Sequence, residues 1–288
     1  MDFAAERRHA QYAWRDVAAL GADIVHCNLP DALLPEALDE HVTLATIHHE
    51  RIERLVPLYR RKGVACVALS RAHARSFPEI GPPPFVHLGL DVDDYPAGDG
   101  SGGYIAFLGR IGPEKAPHIA IEAAMRANAA LRIAGPHWRG NAHYDAYYAD
   151  IFMPALKRSQ GFARWIGECD MAAKLDLLRS ATALLMPLGW DEPFGLVVVE
   201  AMLVGTPVIA FRRGSMPELI ETGLTGYLVE DAEAMARAIP EAARLDRSRV
   251  RERARERFSA ERMTAQYETL YRTIVDRGVL ARSAMGAV

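Results

Sequence analysis

Short apolar runs of four to six residues alternate along this chain with amphipathic stretches of helical length, and that rhythm leaves few folds open. An apolar run bounded by turn residues reads as a strand buried on both faces. A strand, a helix and a further strand build a parallel sheet with crossover helices. Strands are predicted at ADIVH (22–26), VTLAT (42–46), VACVAL (64–69) and FVHL (85–88), with a first helix over about 2–20. The rhythm then breaks. GPPP (81–84) and PAGDGSGG (96–103) are dense in Gly and Pro, and DVDDY (91–95) lies between them. Such composition marks a connection between domains, and its aspartates read as a solvated linker. Six more strands follow at YIAFLG (104–109), LRIAG (131–135), ARWIG (163–167), ALLMP (183–187), PVIAF (207–211) and GYLV (226–229). Six strands with intervening helices complete a doubly wound domain. The tail is helical by period over 259–275, with Ser259 as N-cap and Arg262 where a capping box would place Glu.

The expected class is therefore α/β, with two Rossmann-like doubly wound domains: a partial one over 1–95, a full one over 96–258, and a closing helix with tail over 259–288. The first domain opens on a helix. Such domains open on a strand whose loop faces phosphate, so the N-terminal one reads as incomplete. Half of the 288 residues are hydrophobic and a quarter charged, as in soluble globular proteins. A net charge of −3 argues against a nucleic-acid-binding surface. No apolar run approaches the roughly 20 residues of a spanning helix, and MDFAAERRHAQYAW is too charged for a secretory signal. Cys27, Cys66 and Cys169 are odd in number and lack C-x-x-C spacing. They point to a reducing compartment, hence the cytoplasm, and away from zinc. Arg51, Arg54, Arg60, Arg61 and Lys62 read as a solvated face, while a peripheral contact with anionic lipid stays open.

Arginine greatly outnumbers lysine, so a lysine inside a motif carries weight; the lysines are Lys62, Lys115, Lys157 and Lys174. The sharpest segment runs Asp191-Glu192-Pro193-Phe194-Gly195 and continues through Leu196 to Glu200, after Leu188-Gly189-Trp190. Pro193 and Gly195 set a tight turn, and a helix begins at Gly195. A helix N-terminus approached through glycine is an anion site. Glu192 and Glu200 would repel a phosphate and suit sugar or ribose hydroxyls. The bland alternative is charge capping by Glu192 and solvation of Glu200. A second segment, Gly109-Arg110-Ile111-Gly112-Pro113-Glu114-Lys115-Ala116-Pro117, follows the first strand of the second domain. Cations at the carboxyl end of a parallel strand lie where ligands bind, though a solvated turn would look the same. Thr46-Ile47-His48-His49-Glu50 ends a strand; its spacing is wrong for a helical metal pair, and one histidine suits a polar ligand contact.

These residues resemble the retaining GT-B glycosyltransferases of family 4. The resemblance rests on Glu192-Pro-Phe-Gly…Glu200 with Gly109-Arg110…Glu114-Lys115, supported by AMLVGTPVIAFRRGSMPELIETGLTGYLV (201–229) and FSAERMTAQYETLY (258–271). It implies a retaining transferase that moves a hexose from a nucleotide-diphosphate sugar, UDP-sugar favoured, to an acceptor that is a sugar, lipid-linked or a small molecule. It implies no cofactor and no metal. Arg110 and Lys115 would bind the donor diphosphate. Glu192 would hold hydroxyls of the transferred sugar, with the amides at Phe194, Gly195 and Leu196, and Glu200 would hold the ribose. Gly109 would also bind the donor, and the base would lie against backbone near Gly135 and Ile166-Gly167. His48 matches the histidine that contacts the sugar near the reacting centre; His49 stands where many members have glycine, which leaves open which histidine acts. Ala116 also stands where glycine is usual. The family's first strand and glycine-rich loop have no counterpart here, which keeps a second reading open: a catalytically impaired nucleotide-sugar-binding protein, or a partner subunit.

Overall fold

The structure, a computed structural model, describes residues 3–34, 41–61, 64–81 and 83–285. By its contacts the chain divides into Met1–Gly89 with Glu261–Val288, and Leu90–Ala260.

The first unit holds strands β1 (Val25–Cys27), β2 (Thr43–Thr46) and β3 (Val64–Val67), parallel and in that order. Side chains alternate between faces along a strand, so neighbours in register share a face. Cys27, Ala45 and Cys66 are opposite one another and pack on one side with Trp14, Leu33, Tyr59 and Phe77. Leu44 and Val67 turn to the other side, against Val86 and Tyr267 of the helix Ala260–Met285. The helix Phe3–Leu20 is pinned where Trp14 Nε1–H donates to Ala32 O, 2.8 Å. The predicted strand at 85–88 does not form. Phe85 makes a single bridge to Ala68, closed by Ala68 N–H to Pro84 O and Val86 N–H to Ala68 O. Pro83 and Pro84 have no N–H to extend the ladder backwards, and Gly89 N–H turns to Met263 Sδ.

The second unit holds six parallel strands: β4 (Ile105–Leu108), β5 (Leu131–Ala134), β6 (Ala163–Trp165), β7 (Leu184–Met186), β8 (Val208–Phe211) and β9 (Gly226–Val229). Their order is β6-β5-β4-β7-β8-β9. Ile105, Phe107, Ile133, Leu185 and Ile209 pack against Ala120, Ile121 and Ala124 of the helix Pro117–Arg126 and Met235 and Ile239 of the helix Ala232–Ala242. The helix Leu196–Leu203 is buried from Val198 onward, as an almost wholly apolar helix must be.

The Gly/Pro-rich segment is part of this unit. Asp91, Asp93 and Asp94 are exposed, but Val92 and Tyr95 are buried. Gly98, Gly100 and Gly102 donate to Val204 O, Arg179 O and Ser180 O. A Cβ on Gly98 would stand 2.3 Å from Arg179 O, so glycine is there for close backbone approach. Among the described residues no helix is long and apolar enough to cross a membrane.

Candidate functional site

β4 and β7 are sheet neighbours, yet the chain leaves β4 for β5 and β6 and returns only at β7. At such a reversal the loops after the two strands part, and a crevice opens at the carboxyl edge. The loop after β4 carries Gly109–Ala116 and the loop after β7 carries Leu188–Gly195. They meet backbone to backbone: Gly189 N–H donates to Glu114 O at 2.9 Å, and a Cβ on Gly189 would stand 2.5 Å from Pro113 O. From behind, Gly214 sits so close that its Cβ would fall 2.4 Å from Glu192 N, and Ser215 N–H donates to Glu192 O at 3.1 Å.

This geometry brings Lys115 and Glu192 together as an ion pair, with side chains only 15% and 11% exposed. Trp190 Nε1–H donates to the same carboxylate oxygen, Oε2, at 2.8 Å, and the Trp190 ring centre lies 5.2 Å from Lys115 Nζ. Glu192 Oε1 keeps no protein partner among the described residues.

Arg110 is held on several sides. Its Nε lies 3.2 Å from Glu114 Oε1, its Nη1–H donates to the Tyr144 hydroxyl at 3.0 Å, and its Cζ sits 3.9 Å from the Trp138 ring centre. The Tyr144 O–H donates to Glu114 Oε1 at 2.8 Å, and Gly112 leaves room for the Tyr144 ring, which a Cβ would approach to 2.5 Å.

Glu200 is buried, and again one oxygen is engaged: Lys174 Nζ lies 2.5 Å from Oε1, and Tyr95 O–H donates to it at 3.2 Å. Burial, then the Glu200 charge, pushes the Tyr95 phenol up, which keeps it a donor. Its Oε2 has no protein partner among the described residues. Gly195, at φ +97, opens the helix Leu196–Leu203 without a side-chain cap, and Leu196 is exposed at its first turn. The first-turn amides of a helix have no intrahelical acceptor and suit an anion. Behind the loops, Gly135 N–H donates to Gly167 O at 2.8 Å. At φ +142 a Cβ on Gly135 would stand 1.9 Å from Gly109 O, so glycine alone fits. Ile166 next to it is 42% exposed, an apolar side chain left at the sheet edge.

His48 and His49 belong to the other unit. His48 Nε2 lies 2.9 Å from Asn28 Oδ1. His49 is bound through Nδ1 to Glu50 O at 2.6 Å and through Nε2 to the Tyr59 hydroxyl at 2.7 Å. Burial, then neighbouring His49, holds the His48 imidazole below its ordinary range. In the basic run, Arg51 forks onto Glu53 and Glu79. Arg61 donates to Leu33 O and Leu34 O, and Lys62 lies outside the described residues. Among the described residues no group of three or more His, Cys, Asp or Glu is placed to hold a metal.

Sequence reasoning did not find Tyr95, Trp138, Tyr144 or Asn28, nor the role of Lys174. The scarcity of lysine was the one usable signal: Lys115 and Lys174 each pair with a motif glutamate.

The family described as Glycosyl transferases group 1 matches residues 98–257. The D-inositol 3-phosphate glycosyltransferase of Mycobacterium tuberculosis (strain F11) is 34% identical over 193 residues, covering 61% of this chain and 39% of that protein. The protein of the same name from Mycobacterium sp. (strain KMS) is 33% identical over 160 residues, covering 50% and 35%. The chain thus spans well under half the length of the curated relatives it matches. Among solved structures, AviGT4, a glycosyltransferase involved in avilamycin A biosynthesis, aligns with a TM-score of 0.75 at 23% identity, over 93% of this chain and 79% of its own. Anabaena Alr3699/HepE, solved with UDP-glucose, aligns with a TM-score of 0.76 at 21% identity, over 91% and 80%. At these identities the likeness concerns the fold: α/β with Rossmann-like parallel sheets, as in GT-B glycosyltransferases. Matched over more than half of its residues, the chain belongs to the glycosyl transferases group 1 family.

Proposed function

We propose that Leu90–Ala260 binds a nucleoside-diphosphate sugar, with a UDP-sugar favoured, and that the protein is a retaining transferase moving a hexose onto an acceptor hydroxyl. The observation that carries this reading is the Lys115–Glu192 pair at the β4/β7 switch point. An arriving diphosphate draws Lys115 to itself, and Glu192 is then released to accept hydrogen bonds from sugar hydroxyls. As the bond from the sugar C1 to the diphosphate breaks, negative charge builds on the leaving group. Arg110, Lys115 and the first-turn amides at Leu196 are aimed to stabilise it. Glu200 Oε2 takes ribose hydroxyls, and Gly135, Ile166 and Gly167 line the base. His48 contacts a ligand hydroxyl. A phosphate oxygen of the leaving group accepts the acceptor's proton, so no side-chain base is required. The UDP-glucose bound by Anabaena Alr3699/HepE supports the choice of base.

The test is calorimetric titration of the folded chain with UDP, GDP, ADP and their sugar conjugates. Saturable binding of UDP and one UDP-sugar is expected. No binding by any nucleotide overturns the donor site, and binding with no transfer to any acceptor leaves a nucleotide-sugar-binding protein. Lys115→Ala and Glu192→Ala are each expected to weaken donor binding about tenfold or more with circular dichroism unchanged. Wild-type affinity in both would remove these residues from the site.

A further inference from the structure

The hydrogen bonds around the histidines of the first unit fix which ring nitrogen carries each proton. A backbone N–H only donates and a carbonyl only accepts. Leu69 N–H donates to His73 Nδ1 at 3.2 Å, so that nitrogen is bare, and His73 Nε2–H donates to His49 O at 2.9 Å. His49 Nδ1 faces Glu50 O and so carries its proton, and its Nε2 accepts from the Tyr59 O–H. Both rings are thereby spent inside the unit. His48 is not. Cys27 is in register with Ala45, which brings residue 28 alongside the end of β2, and Asn28 Oδ1 faces His48 Nε2 at 2.9 Å. An amide oxygen only accepts, so Nε2 carries the proton. Nδ1 holds a bare lone pair with no protein partner among the described residues.

We propose that Asn28 is a positioning residue that holds His48 as its Nε2–H tautomer, so that Nδ1 accepts a hydrogen bond from a ligand hydroxyl. The role of that hydroxyl rests on the reading above of His48 as a sugar contact; the tautomer does not. The consequence is chemical selectivity. A sugar O–H facing Nδ1 is welcome, whereas a phosphate or carboxylate oxygen would meet lone pair against lone pair. It also settles the choice between the adjacent histidines, because His49 has no ring nitrogen left to offer. Burial beside His49 keeps the His48 ring neutral near pH 7, which preserves the lone pair.

The experiment is a long-range 1H–15N correlation of the histidine rings in the full 15N-labelled chain at pH 8.5. His48 is expected to show a protonated, pyrrole-type Nε2 and a bare, pyridine-type Nδ1. Asn28→Ala is expected to average the two shifts, while Asn28→Asp, whose carboxylate only accepts, restores the wild-type pattern. A protonated Nδ1 in the wild type, or an unchanged pattern in Asn28→Ala, overturns the assignment. Release of UDP from UDP-glucose is measured in parallel. Asn28→Ala is expected to lose about fivefold in kcat/KM, the worth of one hydrogen bond, and Asn28→Asp to recover it. Expected ring shifts with undiminished turnover in Asn28→Ala overturn the hydroxyl contact and leave the tautomer standing. A wild type that releases no UDP counts against the proposed function, not against the ring assignment.

Discussion

Ala116 is the residue whose backbone and identity disagree most openly. It sits at φ 51, ψ 49, the left-handed region, and is only 2% exposed. Most L-residues pay about 1–2 kcal/mol there, and a β-branched side chain pays more. Ala116→Val is expected to destabilise the second unit by about 2 kcal/mol, read from urea unfolding. A stability equal to wild type would show that the turn relaxes. The Lys174–Glu200 pair makes a second residue-scale prediction. Removing one partner leaves a buried charge, so Lys174→Met is expected to cost about 2 kcal/mol, and adding Glu200→Gln to recover part of it. A double variant as unstable as the sum of the singles would mean the two side chains do not interact. Of the candidate residues in the two units, the sequence makes legible those in continuous motifs, such as Arg110, Lys115, Glu192, Gly195 and Glu200. Tyr95 and Glu200 are 105 residues apart, and Asn28 and His48 are 20 apart. Nothing periodic links such pairs, and only the fold decides that they touch.

At the scale of elements, Arg247 shows how the Gly-rich segment is held. At the start of the helix Arg247–Phe258, its guanidinium donates to Gly98 O, Ala181 O and Arg179 O, each at 3.1 Å, and to Thr206 Oγ1 at 2.6 Å. Burial pulls its pKa down, and these four acceptors offset the cost of a desolvated cation. Arg247→Ala is expected to cost about 3 kcal/mol in thermal unfolding, with Arg247→Lys recovering less than half because an ammonium cannot fork. An unchanged midpoint for Arg247→Ala would show that the glycines seat themselves without it. The six strands of this unit are legible because each lies in a short, mostly apolar run bounded by turns. The role of Gly98 and Gly102 is not, because composition registers many glycines and cannot separate flexibility from close approach. The same limit explains 85–88: its apolar pattern fits a strand, but the prolines ahead of it leave the ladder one rung long.

Over the whole molecule, acid is expected to act on the two units unequally. In the first, burial pushes the His73 imidazole down to about 4 from 6.5, and His26 and His48 are also held low by burial. In the second, burial holds the His118 imidazole low. Folded His73 takes up its proton only near pH 4, while the unfolded chain takes it near pH 6.5. Stability from this group is intact above pH 6.5 and falls as the pH drops towards 4, by up to about 3 kcal/mol. Scanning calorimetry from pH 7.5 to 4.5 is expected to show one transition moving steeply, and His73→Gln to flatten it. Parallel movement of both transitions would mean that the buried histidines do not set the acid response.

The placement of the indoles has a practical consequence. The protein contains four tryptophans, and two of them stand against cations of the proposed donor site: Trp138 over Arg110 at 3.9 Å, and Trp190 beside Lys115 at 5.2 Å. An excited indole responds to the charge beside it, so a ligand that draws either cation away alters the emission of a dye the molecule already carries. Trp14, packed in the first unit, supplies a background, while Trp165 donates to Gly135 O at 3.1 Å beside the proposed base contact. Occupancy can then be followed by light on the unlabelled protein, one substituted indole at a time revealing which cation has moved.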